Sequence, residues 1–264
     1  MRLKICTWNI NSIRLREKQV CKLLEQHAPD ILCLQEIKTP IDFLPTKPFI
    51  EMGFPHIVAR GQKGYNGVAV ISRLPINADW SHQFCSQIDA RHLAVSIHGG
   101  IVVENFYVPA GGDIPDISVN PKFAHKLNFL DEMAEYFQNN IPKKTVLVGD
   151  LNVAPREDDV WSHKQLLRVV SHTPVEVEKL NLLKKKGGFV DITRKHLPDG
   201  KLYSWWSYRS PNWENSDRGR RLDHIWASQE MASCSVNSFV FKEARRWNKP
   251  SDHVPVFAEF EIKI

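Results

Sequence analysis

The stretch Thr145-Val146-Leu147-Val148-Gly149-Asp150-Leu151-Asn152 sets four apolar or β-branched residues directly before a glycine, a carboxylate and an amide. A short apolar run of this kind predicts a strand buried on both faces. Its far end then delivers Asp150 and Asn152 to the rim of a sheet. The same pattern recurs along the chain. Leu3–Trp8 runs into Asn9-Ile10-Asn11, Ile31–Leu34 into Gln35-Glu36, and Val102–Phe106 into Tyr107-Val108-Pro109. Two further strands begin with polar residues, at Arg221-Leu222-Asp223 and at Ser251-Asp252-His253. If the first four strands share one direction and the last two oppose it, all these ends meet. Asn9, Glu36, Tyr107, Asp150, Asn152, Asp223, Asp252 and His253 then line a single cleft.

Around this frame, short strands alternate with helices. Strands are expected at Gly67–Ser72, Ala94–Ile97, Ile101–Val108, Leu222–Ala227 and Val236–Phe241. Leu15–His27 predicts a helix with Val20, Leu23 and Leu24 on one side. Asn120-Pro121 opens another, with Asn as cap and Pro in the first helical position. Phe123, Leu127, Leu130, Ala134 and Phe137 then follow helical spacing. Val175–Lys186 predicts a third helix, ended by Gly187-Gly188. Its terminal Lys184, Lys185 and Lys186 suit a helix C-terminus rather than a binding site. Val254, Val256, Ala258, Phe260 and Ile262 alternate, which predicts a last strand with one buried face. With no linker or repeat, the mixed order predicts one domain over residues 1–264, built from sheets covered by helices.

The 264 residues are 42% hydrophobic and 25% charged, ordinary globular values that exclude global disorder. No apolar run approaches the roughly 20 residues of a membrane span. The first six residues alternate like a strand, unlike a signal peptide. A cytoplasmic protein is therefore expected, with no membrane partner. Five scattered cysteines without a CxxC pair argue against a disulfide framework or a zinc site. The net charge is +5. Residues 184–221 hold ten Lys or Arg against four Asp or Glu, a local +6, interleaved with Tyr203, Trp205, Trp206, Tyr208 and Trp213. Basic groups among aromatics suit a phosphate backbone and exposed sugar or base faces. A solvated loop with a few core tryptophans is the plainer account of the same stretch.

Carboxylates and amides are hard oxygen ligands, suited to Mg2+ or Mn2+ and poor for zinc. No Gly-rich phosphate loop and no GxSxG elbow is present. A metal, a carboxylate, a neutral amide and an Asp–His pair suit attack by water on a phosphodiester. Each residue also has a duller reading. Asn9 and Asn152 serve equally as strand-end caps. Glu36 pairs with nearby Lys38, Tyr107 is a half-buried aromatic, Asp223 is a surface charge, and Asp252-His253 is a turn. Those readings need six strand ends to be polar independently.

At these residues the chain resembles the exonuclease III family of apurinic/apyrimidinic endonucleases, within the endonuclease–exonuclease–phosphatase superfamily. The resemblance rests on seven segments in the family's order: Thr7–Asn11, Leu34–Lys38, Asn105–Pro109, Gly149–Pro155, Tyr203–Arg209, Arg218–Asp223 and Ser251–Pro255. It implies an α+β, four-layer sandwich of two mixed β-sheets packed face to face with helices on both outer faces. It implies Mg2+, with Mn2+ as substitute, held by Glu36 with Asn9, Asp150, Asn152, Asp252 and His253. Tyr107 would contact phosphate or handle a proton. Asp150, beside Asn152, would orient and deprotonate the attacking water, and Asp223 would hold His253. Trp205 would lie against a flipped-out abasic sugar, with Arg209, Arg220 and Lys38 on DNA. Asn11 stands where other members carry a carboxylate, and Arg220 where relatives place an apolar wall.

The implied activity is that of a monomeric, Mg2+-dependent DNA repair nuclease. It would cut 5′ to abasic sites and trim or deblock 3′ ends of double-stranded DNA. Two rivals remain at this point: a superfamily relative acting on inositol phosphates, sphingomyelin or poly(A), and a DNA-binding module with a decayed site.

Overall fold

The computed structural model describes residues 1–210 and 212–262. Its strands are β1 (Arg2–Asn9), β2 (Ile31–Gln35), β3 (His56–Arg60), β4 (Val68–Ser72), β5 (Ile76–Trp80), β6 (His92–Ile97), β7 (Ile101–Tyr107), β8 (Thr145–Asp150), β9 (Val190–Asp191), β10 (Trp205–Trp206), β11 (Gly219–Arg220), β12 (Asp223–Ala227), β13 (Ser235–Val240) and β14 (Val256–Glu261). They form two six-stranded mixed sheets, ordered β13-β14-β1-β2-β4-β3 and β5-β6-β7-β8-β12-β9, and a small β10-β11 ribbon.

The sheets pack face to face. Ile5, Cys33 and Val70 of the first interdigitate with Val103, Val148 and Ile225 of the second. Each outer face is covered as well. Val20, Leu23 and Leu24 of the Ile13–His27 helix pack on Cys6, Trp8, Leu32 and Leu34. Phe129, Leu130, Met133 and Phe137 of the Pro121–Asn139 helix pack on Phe106, Leu147 and Trp226, with Leu180 and Leu183 of the Pro174–Lys186 helix. The result is the expected α+β four-layer sandwich. It explains why the central strands are continuous apolar runs: both of their faces are buried.

Strand directions meet the condition set by the sequence. β1 runs parallel to β2, and β7 parallel to β8. β14 is antiparallel to β1, and β12 antiparallel to β8. Gly149 permits the tight approach at the end of β8. Its φ is +142°, and a Cβ there would meet the Phe106 carbonyl oxygen at 1.9 Å.

The helix caps follow local chemistry. The Asn120 side chain accepts from the Lys122 amide at 3.0 Å, ahead of Pro121. The third helix starts at Pro174, one residue before the expected Val175. Its cap is a Thr173–Glu176 capping box that the apolar pattern did not reveal.

One expectation needs correction. β14 is buried on both faces, not one: Phe257 stacks on Phe239 of β13 and Glu259 pairs with Arg2. The cause is cover on the outer side by His27 at the helix end, which packs on Phe257 beside Phe239 of the neighbouring strand β13. The peripheral strands β3 and β5 were not anticipated, because a half-exposed edge strand lacks an apolar signature. No helix among the described residues is long and apolar enough to cross a membrane.

Candidate active site

The ends of β1, β2, β7 and β8 and the starts of β12 and the β14 segment converge on one rim. The Asn9 amide joins the sheets there, donating from Nδ2 to Glu36 Oε1 at 2.8 Å and to Asp150 Oδ2 at 2.9 Å. The loops that form this rim are backbone-strained. Asn11, Ser12, Glu36, Lys38 and Asn152 all have positive φ, unusual for residues other than glycine. Main-chain bonds hold the turns in place: Ser12 N donates to Glu36 O and Ile13 N to Ile37 O.

Asp150 lies directly opposite Asp223 across the β8–β12 ladder. Asp150 Oδ1 accepts from the Asn152 amide N–H at 3.0 Å, and Oδ2 from Asn152 Nδ2 at 3.2 Å. Behind this turn, buried Lys126 donates to the Asn152 carbonyl at 2.7 Å and pairs with Glu176. His253 enters from the other sheet. Its Nδ1 is 2.8 Å from Asp223 Oδ2, and its Nε2 is 3.6 Å from Asp150 Oδ2.

The electrostatics follow from this packing. Burial pushes the Asp150 carboxyl up to about 7, reinforced by Asp223 and Glu36 and opposed by His253 and the Asn9 amide. Burial alone would push His253 down, but Asp223 and Asp150 outweigh it and raise the imidazole to about 10. His253 is therefore an imidazolium at neutral pH. Burial, with Glu36 and Asp150, drives the Tyr107 phenol well above its ordinary value, so it remains a donor. Burial would also raise Glu36, but the Lys38 ammonium, the Asn9 amide and His253 hold it below the usual carboxylate range.

The donor chemistry suits a hard cation. Lys38 Nζ lies 2.7 Å from Glu36 Oε2 and 2.6 Å from Asn11 Oδ1, while Asn11 Nδ2 donates to Asp252 Oδ1 at 3.0 Å. An ammonium thus sits on a carboxylate and an amide oxygen, where a divalent ion would find the same ligands. Lys38, expected on DNA, is turned inward onto Glu36. A second acidic group, Asp150, Asp223 and His253, also has ligand atoms within 4.8 Å of one another. There the imidazolium already balances the carboxylates, so the Glu36 carboxylate with the Asn11 and Asp252 side-chain oxygens nearby fits a metal better.

The remaining residues shape a cleft of about 750 Å3. Asp252 Oδ2 accepts from Trp205 Nε1 at 3.0 Å. Arg220 pairs with Trp205 across β10–β11 and lies over its ring. Arg209 is exposed at the cleft mouth.

The sequence reading did not place several contributors in the cleft. Trp161 lines the cleft with Arg218 over its ring. Buried Ser204 accepts from the amides of Leu222 and Asp223 at 3.0 Å each. Not all of the basic stretch faces the cleft: Arg194 and Arg221 are buried in an ion network with Asp159 and Asp191. The Trp161–Arg218 stack echoes the aromatic and basic interleaving. A lone Ser carries no comparable signal.

Comparison with known proteins places this arrangement. The profile of the endonuclease/exonuclease/phosphatase family matches residues 6–253. Exodeoxyribonuclease III of Haemophilus influenzae is 30% identical, over 98% of this chain and 100% of its own length. The structure of an AP endonuclease from Archaeoglobus fulgidus is 34% identical with a TM-score of 0.91, over 98% of this chain and 100% of that one. The structure of the Neisseria 3′ phosphatase NExo, bound to a product DNA hairpin, is 33% identical with a TM-score of 0.91 and the same coverage. The chain belongs to the endonuclease/exonuclease/phosphatase family and is a DNA repair nuclease of its exodeoxyribonuclease III and apurinic/apyrimidinic endonuclease branch.

Proposed function

We propose that the protein is a Mg2+-dependent nuclease that incises double-stranded DNA 5′ to abasic sites. It also removes nucleotides and blocking groups from 3′ ends. The observation that carries this reading is the convergence of Asp150, Asp223 and His253 beside Glu36 and Asn9, at the floor of a cleft walled by arginine and tryptophan. The same cleft supports DNA over a lipid headgroup: Arg209, Arg218 and Arg220 stand with Trp161 and Trp205, a combination suited to a sugar–phosphate chain. The substrate in turn supports a cytoplasmic location. The two sheets share one core, which supports a single domain over 1–264.

Glu36, with Asn9 and Asp252 nearby, would hold the divalent ion. Bound there, the ion supplies Lewis-acid polarisation of the phosphoryl oxygen. Asp150, poised near neutrality by burial, accepts the proton of the attacking water; a base with such a pKa suits the operating pH. The Asn152 side chain donates to Asp150 and to the Val108 carbonyl, which fixes the carboxylate's direction. Asp223 orients His253, and the imidazolium faces the charge that develops on the phosphoryl oxygens. Tyr107 adds a neutral donor.

One experiment tests the reading. Labelled duplexes carrying an abasic site, a recessed 3′ end or a 3′-phosphate are incubated with Mg2+ or with EDTA. Cleavage with Mg2+ only is expected. Absence of cleavage on all three duplexes overturns the proposal.

A further inference from the structure

Arg220 is an unusual cation. It lines the cleft and is half-buried. Its guanidinium lies 5.3 Å from the centroid of the Trp205 ring. Nη1 donates to the Val170 carbonyl at 2.9 Å and to Ser171 Oγ at 2.8 Å. Those two acceptors are themselves fixed, because the Ser171 amide is held by Glu176 of the capping box. Nε is buried without a partner, and Nη2 makes no hydrogen bond among the described residues. No carboxylate among them lies within ion-pair distance of this guanidinium, unlike its neighbour Arg221, which pairs with Asp159 and Asp191. A charge partly withdrawn from water, with only the more distant Glu176 to offset it, is costly. Neutral packing would serve this wall better unless an anion arrives to face it.

Every internal phosphodiester brings one negative charge, and only a 3′-terminal phosphate brings more. In an internal phosphodiester, the phosphorus beside the reactive groups is linked onward to a sugar, and that sugar is neutral. In a 3′-phosphomonoester, an ionised oxygen replaces the onward ester link, and the group carries about −1.5 to −2 charge at neutral pH. A fixed guanidinium fork recognises that oxygen with charge-assisted hydrogen bonds. The same guanidinium covers part of the Trp205 ring that an extruded sugar would otherwise use.

We propose that Arg220 is a specificity-determining residue that favours 3′-phosphate ends over abasic sites by binding the terminal phosphomonoester. This rests on the nuclease reading above and deepens it. In the reaction it favours, water oxygen bonds to phosphorus and the P–O3′ bond breaks. The 3′-oxygen leaves with a proton, giving a 3′-hydroxyl and inorganic phosphate.

The test compares kcat and KM of the wild type, Arg220→Leu, Arg220→Gln and Arg220→Lys on a 3′-phosphate duplex and an abasic duplex. Arg220→Leu is expected to raise KM for the 3′-phosphate end and to lower the 3′-phosphate to abasic ratio of kcat/KM at least tenfold. Arg220→Gln retains a donor for Val170 but no charge, and should shift the ratio the same way. It keeps the test decisive if the leucine variant does not fold. Arg220→Lys should keep the ratio within about threefold, since a point charge remains. Equal losses on both substrates would make Arg220 a strut of the wall and overturn the assignment, as would an unchanged ratio. A wild type inactive on both duplexes would instead remove the nuclease reading and this inference with it.

Discussion

Asp223 faces Asp150 across the antiparallel β8–β12 ladder, and both carboxylates address the same imidazole: His253 lies 2.8 Å from one and 3.6 Å from the other. Two buried like charges so close destabilise each other unless a cation sits between them. The three side chains therefore act as a unit. In a double-mutant cycle on single-turnover cleavage, Asp223→Ala plus His253→Ala should cost little more than His253→Ala alone, as groups acting together are strongly non-additive. Additive losses would show two independent residues.

Asp150 links activity to pH. Its carboxyl titrates near 7 in the folded protein against an ordinary 3.8. The kcat/KM profile of the enzyme should rise with pH through a limb near 7, as the base loses its proton. Asp150→Asn should lose at least about 10²-fold in single-turnover rate while still binding DNA. A normal rate would refute the role.

The same shift carries a stability cost with a defined sign. A raised folded-state value means the folded protein holds this proton more tightly than the unfolded chain. The stability it contributes is present below about pH 4 and lost as pH rises to about 7. In EDTA, Asp150→Asn should therefore melt higher than the wild type above pH 7, with the difference shrinking toward pH 4. A difference independent of pH would contradict the burial argument.

Glu36 and Lys38 make opposite predictions for metal binding. Glu36→Gln removes the anionic oxygen and should weaken Mn2+ binding by about tenfold or more. Lys38→Ala removes the ammonium that sits on the same oxygens and should tighten it. Calorimetric titration with Mn2+ reads both without relying on turnover. Equal affinities for Glu36→Gln and the wild type would displace Glu36 from the metal set.

Arg221 is a structural counterpart to Arg220. Burial would raise Asp159 and Asp191, but Arg221 outweighs it and holds both below the ordinary carboxylate range. Arg221→Ala leaves buried carboxylates short of a partner and should destabilise by about 3–5 kcal/mol. For a chain of this size that corresponds to a fall in Tm of roughly 10 °C. A shift of only a degree or two would mean the network is not load-sharing.

Much of the cleft was legible because its signal is local. A buried strand needs a run such as Thr145–Val148, and the residue after it must leave the sheet. Polar groups at six strand ends are therefore readable along the chain, and so is the Asn120-Pro121 cap. Edge strands β3 and β5 were not readable, since burial on less than one face leaves no periodicity.

By itself, then, the sequence determined which residues stand at strand ends and that their chemistry is carboxylate, amide and imidazole. Only the tertiary structure decided how they pair. The Asp223–His253 bond crosses between sheets, and sheet packing, not any neighbour in the chain, sets that distance. Lys38 turns onto Glu36 because both residues adopt left-handed backbone on one strained turn. Arg221 and Arg220 are adjacent and chemically identical, yet one is buried between carboxylates and the other is held over Trp205 without one. The physical reason is that Arg220 ends β11 while Arg221 lies in the connection to β12, so the two side chains leave differently placed backbone, and what awaits each is set by segments far away in the chain.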